Sequence, residues 1–203
     1  NQHLRENTQW ADKGSINGSS YNWHKHNPVF WEQFYEQIPN MQQIYFAGGE
    51  SLIIDEHYEI LEECIRQGHA KNLELRYNSN GVEWRDDLFE LWKEFKLVRF
   101  HYSVDSIGEM NSSIRYPSDW KRTEEVFHIL DKETSNNVEV TVACAVQALN
   151  VYYLPDFIKW KLEQNFHKIN MWPFGAGGVN YHFVYHPAHL NVKVLPAWFK
   201  AEC

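Results

Sequence analysis

Cysteine is scarce and scattered in this 203-residue sequence. Cys64, Cys144 and Cys203 stand far apart, with no CxxC pair among them. An odd count at wide spacing argues against a disulfide framework and a zinc site, and predicts a reducing, cytoplasmic setting. Positive charge is short as well: 19 Lys and Arg stand against 27 Asp and Glu, a formal charge of -8. Without a Lys/Arg run, general nucleic-acid binding is not expected, because phosphate contact needs a basic surplus on one face. No apolar run nears the roughly 18 residues of a membrane span, and no signal peptide opens the chain. A Walker loop and a nucleophile–His–Asp order are missing too. The chain starts without Met and stops at Cys203, so truncation at both ends is expected.

Aromatic residues, by contrast, are abundant. Nine Trp and twelve Phe predict a core packed with large rings, or rings lining a cleft. The hydrophobic share of 43% with 23% charged residues is globular, and the length suits one sizeable core.

Residues 1–27 are polar and turn-rich and read as a loop. Pro28 then opens a helical pattern in which Phe30, Trp31, Phe34 and Ile38 form one stripe. Beyond it, short β-rich runs at 42–47, 72–78, 97–104, 138–147 and 167–172 alternate with amphipathic stretches at 55–68, 83–95, 119–133 and 153–165. Asp55 and Asp119 fall at expected N-caps. This alternation predicts right-handed crossovers and a parallel sheet in an α/β fold. Residues 175–203 begin with Gly-Ala-Gly-Gly and are expected to end in a short helix after Pro196. Five parallel strands fit either a doubly wound open sheet or an incomplete barrel, and periodicity does not choose between them. In both, chemistry belongs at the strands' carboxyl ends.

The first of these runs ends in Gly48-Gly49-Glu50, where bare backbone lets a ligand approach and Glu50 adds negative charge. The second ends in Asn78-Ser79-Asn80-Gly81, residues that also suit a plain turn. The third ends in Ser103-Val104-Asp105, with Ser103 and Asp105 expected on one side. Arg115 follows and could grip a carboxylate with its planar fork. The fourth leads through Gln147 to Asn150, and the fifth into Trp172 and Phe174. Each is unremarkable alone; together they are the residue types that hold a zwitterionic nucleoside.

The run Tyr45-Phe46-Ala47-Gly48-Gly49-Glu50-Ser51 resembles the GGEP segment of radical SAM enzymes, with Ser51 for the usual Pro. Tyr102-Ser103-Val104-Asp105 with Ile114-Arg115-Tyr116-Pro117 resembles their S-x-D segment and the loop after it. The likeness is closest to twitch-domain-containing members, including the tail from Tyr185 to Pro196, and Thr8-Gln9-Trp10 is similar to the S-x-W that follows their cluster loop. The resemblance implies a partial (β/α)6 TIM-like barrel with its first strand missing. It assigns 1–27 to the loop after the cluster motif, 28–174 to the barrel and 175–203 to a twitch-like extension. It implies S-adenosylmethionine (SAM) and a [4Fe-4S] cluster as cofactors, reductive SAM cleavage to start radical chemistry, an electron donor, and a peptide or small-metabolite substrate. Gly48, Gly49 and Glu50 match the segment at the SAM amino group. Ser103 and Arg115 match contacts to its carboxylate or ribose, and Asp105 completes the S-x-D segment. Asn78 and Asn150 match strand-end polar positions, and Trp172 and Phe174 the segment near adenine. The family's CxxxCxxC is absent, and three thiolates are needed to hold the cluster. This chain alone is therefore expected to be inactive. The alternative is a degenerate, non-catalytic barrel acting as a nucleoside- or partner-binding module; cysteines upstream of Asn1 would decide for the enzyme.

Other groups read as structural. His182, His186 and His189 are spaced for a helical metal site, but Pro187 opposes a helix there. His101 lies in a strand and either points inward beside Ser103 or packs in the core. Cys64 and Cys144 read as small core residues, and Trp84, Trp92 and Trp160 as packing.

Overall fold

The computed structural model describes residues 27–169 and 178–201. The chain divides into two units, residues 1–41 and 42–203. In the first, helix α1 (Pro28–Gln37) is opened by Asn27, whose Oδ1 accepts from Phe30 N at 3.1 Å.

The second unit holds strands β1 (Gln43–Phe46), β2 (Glu74–Ser79), β3 (Leu97–Ser103), β4 (Val138–Val146) and β5 (Val179–Phe183). Every neighbouring pair is parallel, and the order is sequential from β1 to β5. A doubly wound sheet reverses its strand order; a barrel does not. The sequential order therefore settles what periodicity leaves open, and the fold is α/β with a partial, TIM-like barrel sheet.

Between the strands run α2 (Asp55–Arg66), α3 (Leu88–Lys93), α4 (Gly108–Ile114), α5 (Trp120–Asp131) and α6 (Leu154–Glu163), and α7 (Ala197–Lys200) follows Pro196. Asp119 caps α5 as expected, its Oδ2 accepting from Arg122 N at 3.1 Å. Asp55 does not cap α2: Ile54 holds that position and Asp55 is the first helical residue. There its charge faces the positive end of the helix dipole.

Alternation along the strands separates two faces. Phe46, Tyr77, Phe100 and Tyr102 turn toward the helices, where they meet His57, Trp92 and Phe127 at ring-centroid distances of 4.7–5.5 Å. This is the ring-rich core that the composition predicts, with Trp92, Tyr77, Phe100, Phe127 and Phe157 almost fully buried. Cys64 and Cys144 are buried on the same side. The opposite face presents Arg76 and Asn78 from β2, Arg99, His101 and Ser103 from β3, and Glu139, Thr141 and Ala143 from β4.

The fifth strand differs from its expected place. Residues 167–169 are not in a strand, 170–177 lie outside the described residues, and β5 pairs with β4 through Val179–Phe183. Helix α3 is also shorter than its 83–95 pattern. Arg85 is drawn off instead, to Asp87, Glu62 and the Tyr58 hydroxyl.

Gly81 closes the turn after β2 with φ +58°, and an added Cβ would stand 3.1 Å from Val126 and 3.2 Å from Tyr102. We expect Gly81→Ala to destabilise the fold by about 2 kcal/mol, since left-handed backbone and overpacking each cost about 1 or more. Gly48→Ala, with nothing within 4 Å, should cost about half as much. Urea midpoints that rank the two in the reverse order would show that Val126 and Tyr102 yield freely.

Candidate functional site

A cleft of about 550 Å³ opens at the carboxyl ends of β1 to β4. Its charged lining is Glu50, Glu83, Asp105 and Arg115, with Asn80 and Gln147 as amides and Ile53, Val82 and Ile114 as apolar wall.

Glu50 reaches this position because Gly48 and Gly49 carry φ of +84° and +57° and turn the chain sharply off β1. Its carboxylate is then fixed by three donors. Oε1 accepts from Ser79 Oγ at 2.7 Å and from Leu52 N at 3.3 Å, and Oε2 accepts from Asn80 N at 2.9 Å. A carboxylate offers about four lone-pair sites, so about one remains for a ligand donor.

Asp105 is buried at the end of β3 and ties several loops together. Its Oδ1 accepts from Ala145 N at 2.7 Å and from Arg115 Nη2 at 3.2 Å. Arg115 Nε lies 2.8 Å from Oδ2 but off the hydrogen-bonding line, an ion-pair contact rather than a second aligned bond. Asp105 thus aims Arg115, the cleft's one cation among the described lining residues. It does not offer its own carboxylate freely.

Asn150 lies behind this arrangement, fully buried. Its Nδ2 donates to Asp105 O at 2.7 Å and Ala145 O at 2.9 Å, and its Oδ1 accepts from Gln147 N at 2.8 Å. Asn111 grips the same segment through the N–H groups of Asp105 and Ser106. Both amides hold backbone that the cleft is built on.

The structure therefore brings Glu50, Asp105 and Arg115 to one cleft. Gly48 and Gly49 stand exposed at its β1 edge. Ser103 and Asn78 lie on the helix-free face of the sheet, Asn78 donating to Tyr45 Oη at 2.7 Å. Trp172 and Phe174 lie outside the described residues, as do Thr8–Trp10 and Cys203. Gln147, which the sequence offers only as a step toward Asn150, joins the lining of the cleft. Its Oε1 is buried at the cleft with no partner, a free acceptor that only the loop's path reveals.

The described cysteines do not fit a [4Fe-4S] cluster. Burial pushes both the Cys64 and Cys144 thiols up to about 12, with the Glu63 and Asp105 charges adding in the same direction. Cluster ligation needs thiolates. Among the described residues no group of His, Cys, Asp and Glu could hold a metal ion. His182 sits in β5, His186 in the following loop and His189 in a 3-10 turn, rather than on one helix face. No helix among the described residues is long and apolar enough to cross a membrane.

A sequential parallel sheet with a charged cleft at its carboxyl edge defines a partial barrel of the TIM-like class. Residues 29–147 match the model of the Radical SAM superfamily, and the chain belongs to that superfamily. No curated protein matches it. Among solved structures, it is similar to "Native anSMEcpe with bound AdoMet", at 19% identity over 73% of this chain and TM-score 0.52. It is also similar to the structure of that protein with AdoMet and Kp18Cys peptide, at 20% identity over 70% of this chain and TM-score 0.49. The first likeness shows a shared fold. The chain spans 40% of the length of the first structure and 37% of the second.

Proposed function

We propose that the cleft binds SAM, and that the chain supplies the SAM-binding strands of a radical SAM enzyme whose substrate is a peptide or small metabolite. The observation that carries this reading is the pairing of Glu50 and Arg115, opposite charges fixed on one cleft. SAM presents an ammonium and a sulfonium beside a single carboxylate, and the cleft's surplus of carboxylates over its one guanidinium complements that balance. Glu50 takes the ammonium on its remaining lone pair, beside the backbone of Gly48 and Gly49. Arg115, held by Asp105, turns its unused N–H groups to the carboxylate. Gln147 Oε1 accepts from a ribose hydroxyl, with Ser103 and Asn78 further along the strands. Trp172 and Phe174 serve the adenine; the barrel sheet runs past the expected boundary at 174 through β5 (Val179–Phe183), and the twitch-like extension begins after it rather than at 175. The AdoMet bound to the solved protein of shared fold supports the same ligand. A [4Fe-4S] cluster would be held by cysteines other than Cys64 and Cys144, and an electron donor would be its partner.

Calorimetric titration tests this on the chain as it stands. Charge-assisted hydrogen bonds contribute about 1.5–3 kcal/mol each, and association entropy offsets much of their sum. SAM should therefore bind at roughly high micromolar to millimolar affinity. 5′-Deoxyadenosine, which lacks the amino-acid end, should bind more weakly, and Arg115→Ala should bring SAM toward its level. Equal affinity for both ligands in the wild-type chain would remove Glu50 and Arg115 from the site.

A further inference from the structure

The helix-free face of the sheet carries charges that the cleft does not use. At its lower level Arg99 is neutralised on both sides, by Glu74 and by Glu139, whose Oε2 accepts from Arg99 Nε at 3.0 Å. Arg76, on the neighbouring strand, has no such partner among the described residues. Its guanidinium lies 5.4 Å over the Tyr45 ring, and its Nε is buried without a hydrogen-bond acceptor. One step up the same face stands His101, in register with Asn78 of β2 and Thr141 of β4. Its Nδ1 lies 2.7 Å from Thr141 Oγ1, while its Nε2 is buried with no partner. Buried orphan nitrogens are costly and rare. Two of them on adjacent strands of one face mark a place where a ligand supplies the missing acceptor.

We propose that Arg76 and His101 form a subsite for a carboxylate, the anionic end of the molecule on which this barrel acts. That the carboxylate belongs to the reaction's substrate rests on the proposed function; that the pair binds a carboxylate does not. The charge count sets the class. Arg76 and Arg99 balance Glu74 and Glu139, and both carboxylates are engaged by Arg99; Arg76 is then the single cation left to face a ligand, which matches a monoanion better than a phosphate dianion. Arg76 gives a planar fork suited to two carboxylate oxygens. Burial first, then the charges of Arg76, His182 and Arg99, hold the His101 pKa below its usual value. The ring is therefore neutral, and the subsite uses the tautomer in which Thr141 donates to Nδ1 while Nε2 carries the hydrogen and donates to the ligand. Arg76 lies two residues below Asn78, about 7 Å deeper along the strand. A molecule anchored there would extend up toward the strand ends.

Histidine-ring NMR on the ¹⁵N-labelled chain tests this, with sodium acetate and inorganic phosphate as probes and sodium chloride as the ionic-strength control. The His101 signal is assigned by its loss in His101→Gln. Acetate should shift the His101 Nε2 resonance saturably and raise the His101 pKa, because the bound anion offsets the charge of Arg76. Arg76→Gln should weaken acetate about tenfold or more, and Arg76→Lys by less. No saturable acetate shift in the wild-type chain, an equal response in Arg76→Gln, or tighter phosphate than acetate would each overturn the proposal. If Arg76→Gln fails to fold by circular dichroism, the Arg76 Nε signal in His101→Gln replaces it. That signal should still respond to acetate, with weakened affinity, and an unweakened response would count against the pair. SAM added to the same samples separates the two readings. An acetate response without SAM binding leaves the subsite and removes the SAM cleft, and the converse removes only the subsite.

Discussion

Lowering the pH from 6.5 to about 4 is expected to cost the fold about 3 kcal/mol through His57 alone. His57 sits on α2 under the sheet, 3% exposed, among Phe46, Tyr58 and Tyr77. Trp92 Nε1 lies 3.2 Å from Tyr77 Oη, which lies 3.0 Å from His57 Nε2. The indole can only donate, so the tyrosine hydroxyl accepts from it and keeps its own hydrogen for the imidazole, in the tautomer that leaves Nε2 bare. That relay needs a neutral ring. Burial, with the Arg85 charge adding to it, lowers the His57 pKa from 6.5 to about 4. A depressed folded-state pKa means that the contribution is fully present above 6.5. Between 6.5 and 4 the unfolded chain takes up a proton that the native one refuses, and stability falls with pH. At 1.36 kcal/mol per unit, the interval amounts to about 3 kcal/mol. Urea unfolding at stepped pH values should show this slope, and His57→Gln should flatten it. A wild-type curve that is level between pH 6.5 and 4 would place the ring in contact with water.

His57 also shows where reading the sequence stops. In the run Asp55-Glu56-His57-Tyr58-Glu59 it is one polar residue among several, and only the packing of α2 turns it inward. The strands β1 to β4 were legible because their periodicity survives folding: one side packs on helices and the other stays polar. The strand β5 was not, since its residues become half-buried and then exposed from Asn180 to Phe183, without the apolar run that marks the others. Helix α4 escaped for a related reason, having seven residues of mostly polar character and so no stripe to detect. In the cleft, Glu50, Asp105 and Arg115 could be found because local motifs carry them. The parts played by Asn111 and Asn150 could not. An Asn that clasps backbone 45 residues away reads, in sequence, like an Asn at a turn. The direction of Arg115 was equally hidden, because a carboxylate ten residues earlier in the chain engages it before any ligand does.

That engagement leads to the largest effect we expect from one substitution. Replacing Asp105 with alanine should destabilise the chain by about 3–5 kcal/mol, the range for leaving one member of a buried ion pair alone. Three losses combine. Arg115, 24% exposed, keeps its charge without a partner. Ala145 N, near the end of β4, loses its acceptor at 2.7 Å. The segment gripped by Asn111 and Asn150 loses the side chain that tied β3 to β4. Asp105→Asn restores an acceptor for Ala145 N but not the charge, so it should recover about 1 kcal/mol of the loss, the worth of one ordinary hydrogen bond. Arg115→Ala removes the charge that would otherwise be stranded, and the double variant should be less unstable than the two single losses added together. The cycle reads the coupling directly by chemical unfolding. Additive losses would mean that Asp105 and Arg115 act separately, and that Arg115 reaches the cleft by its own rotamer preference rather than because Asp105 aims it.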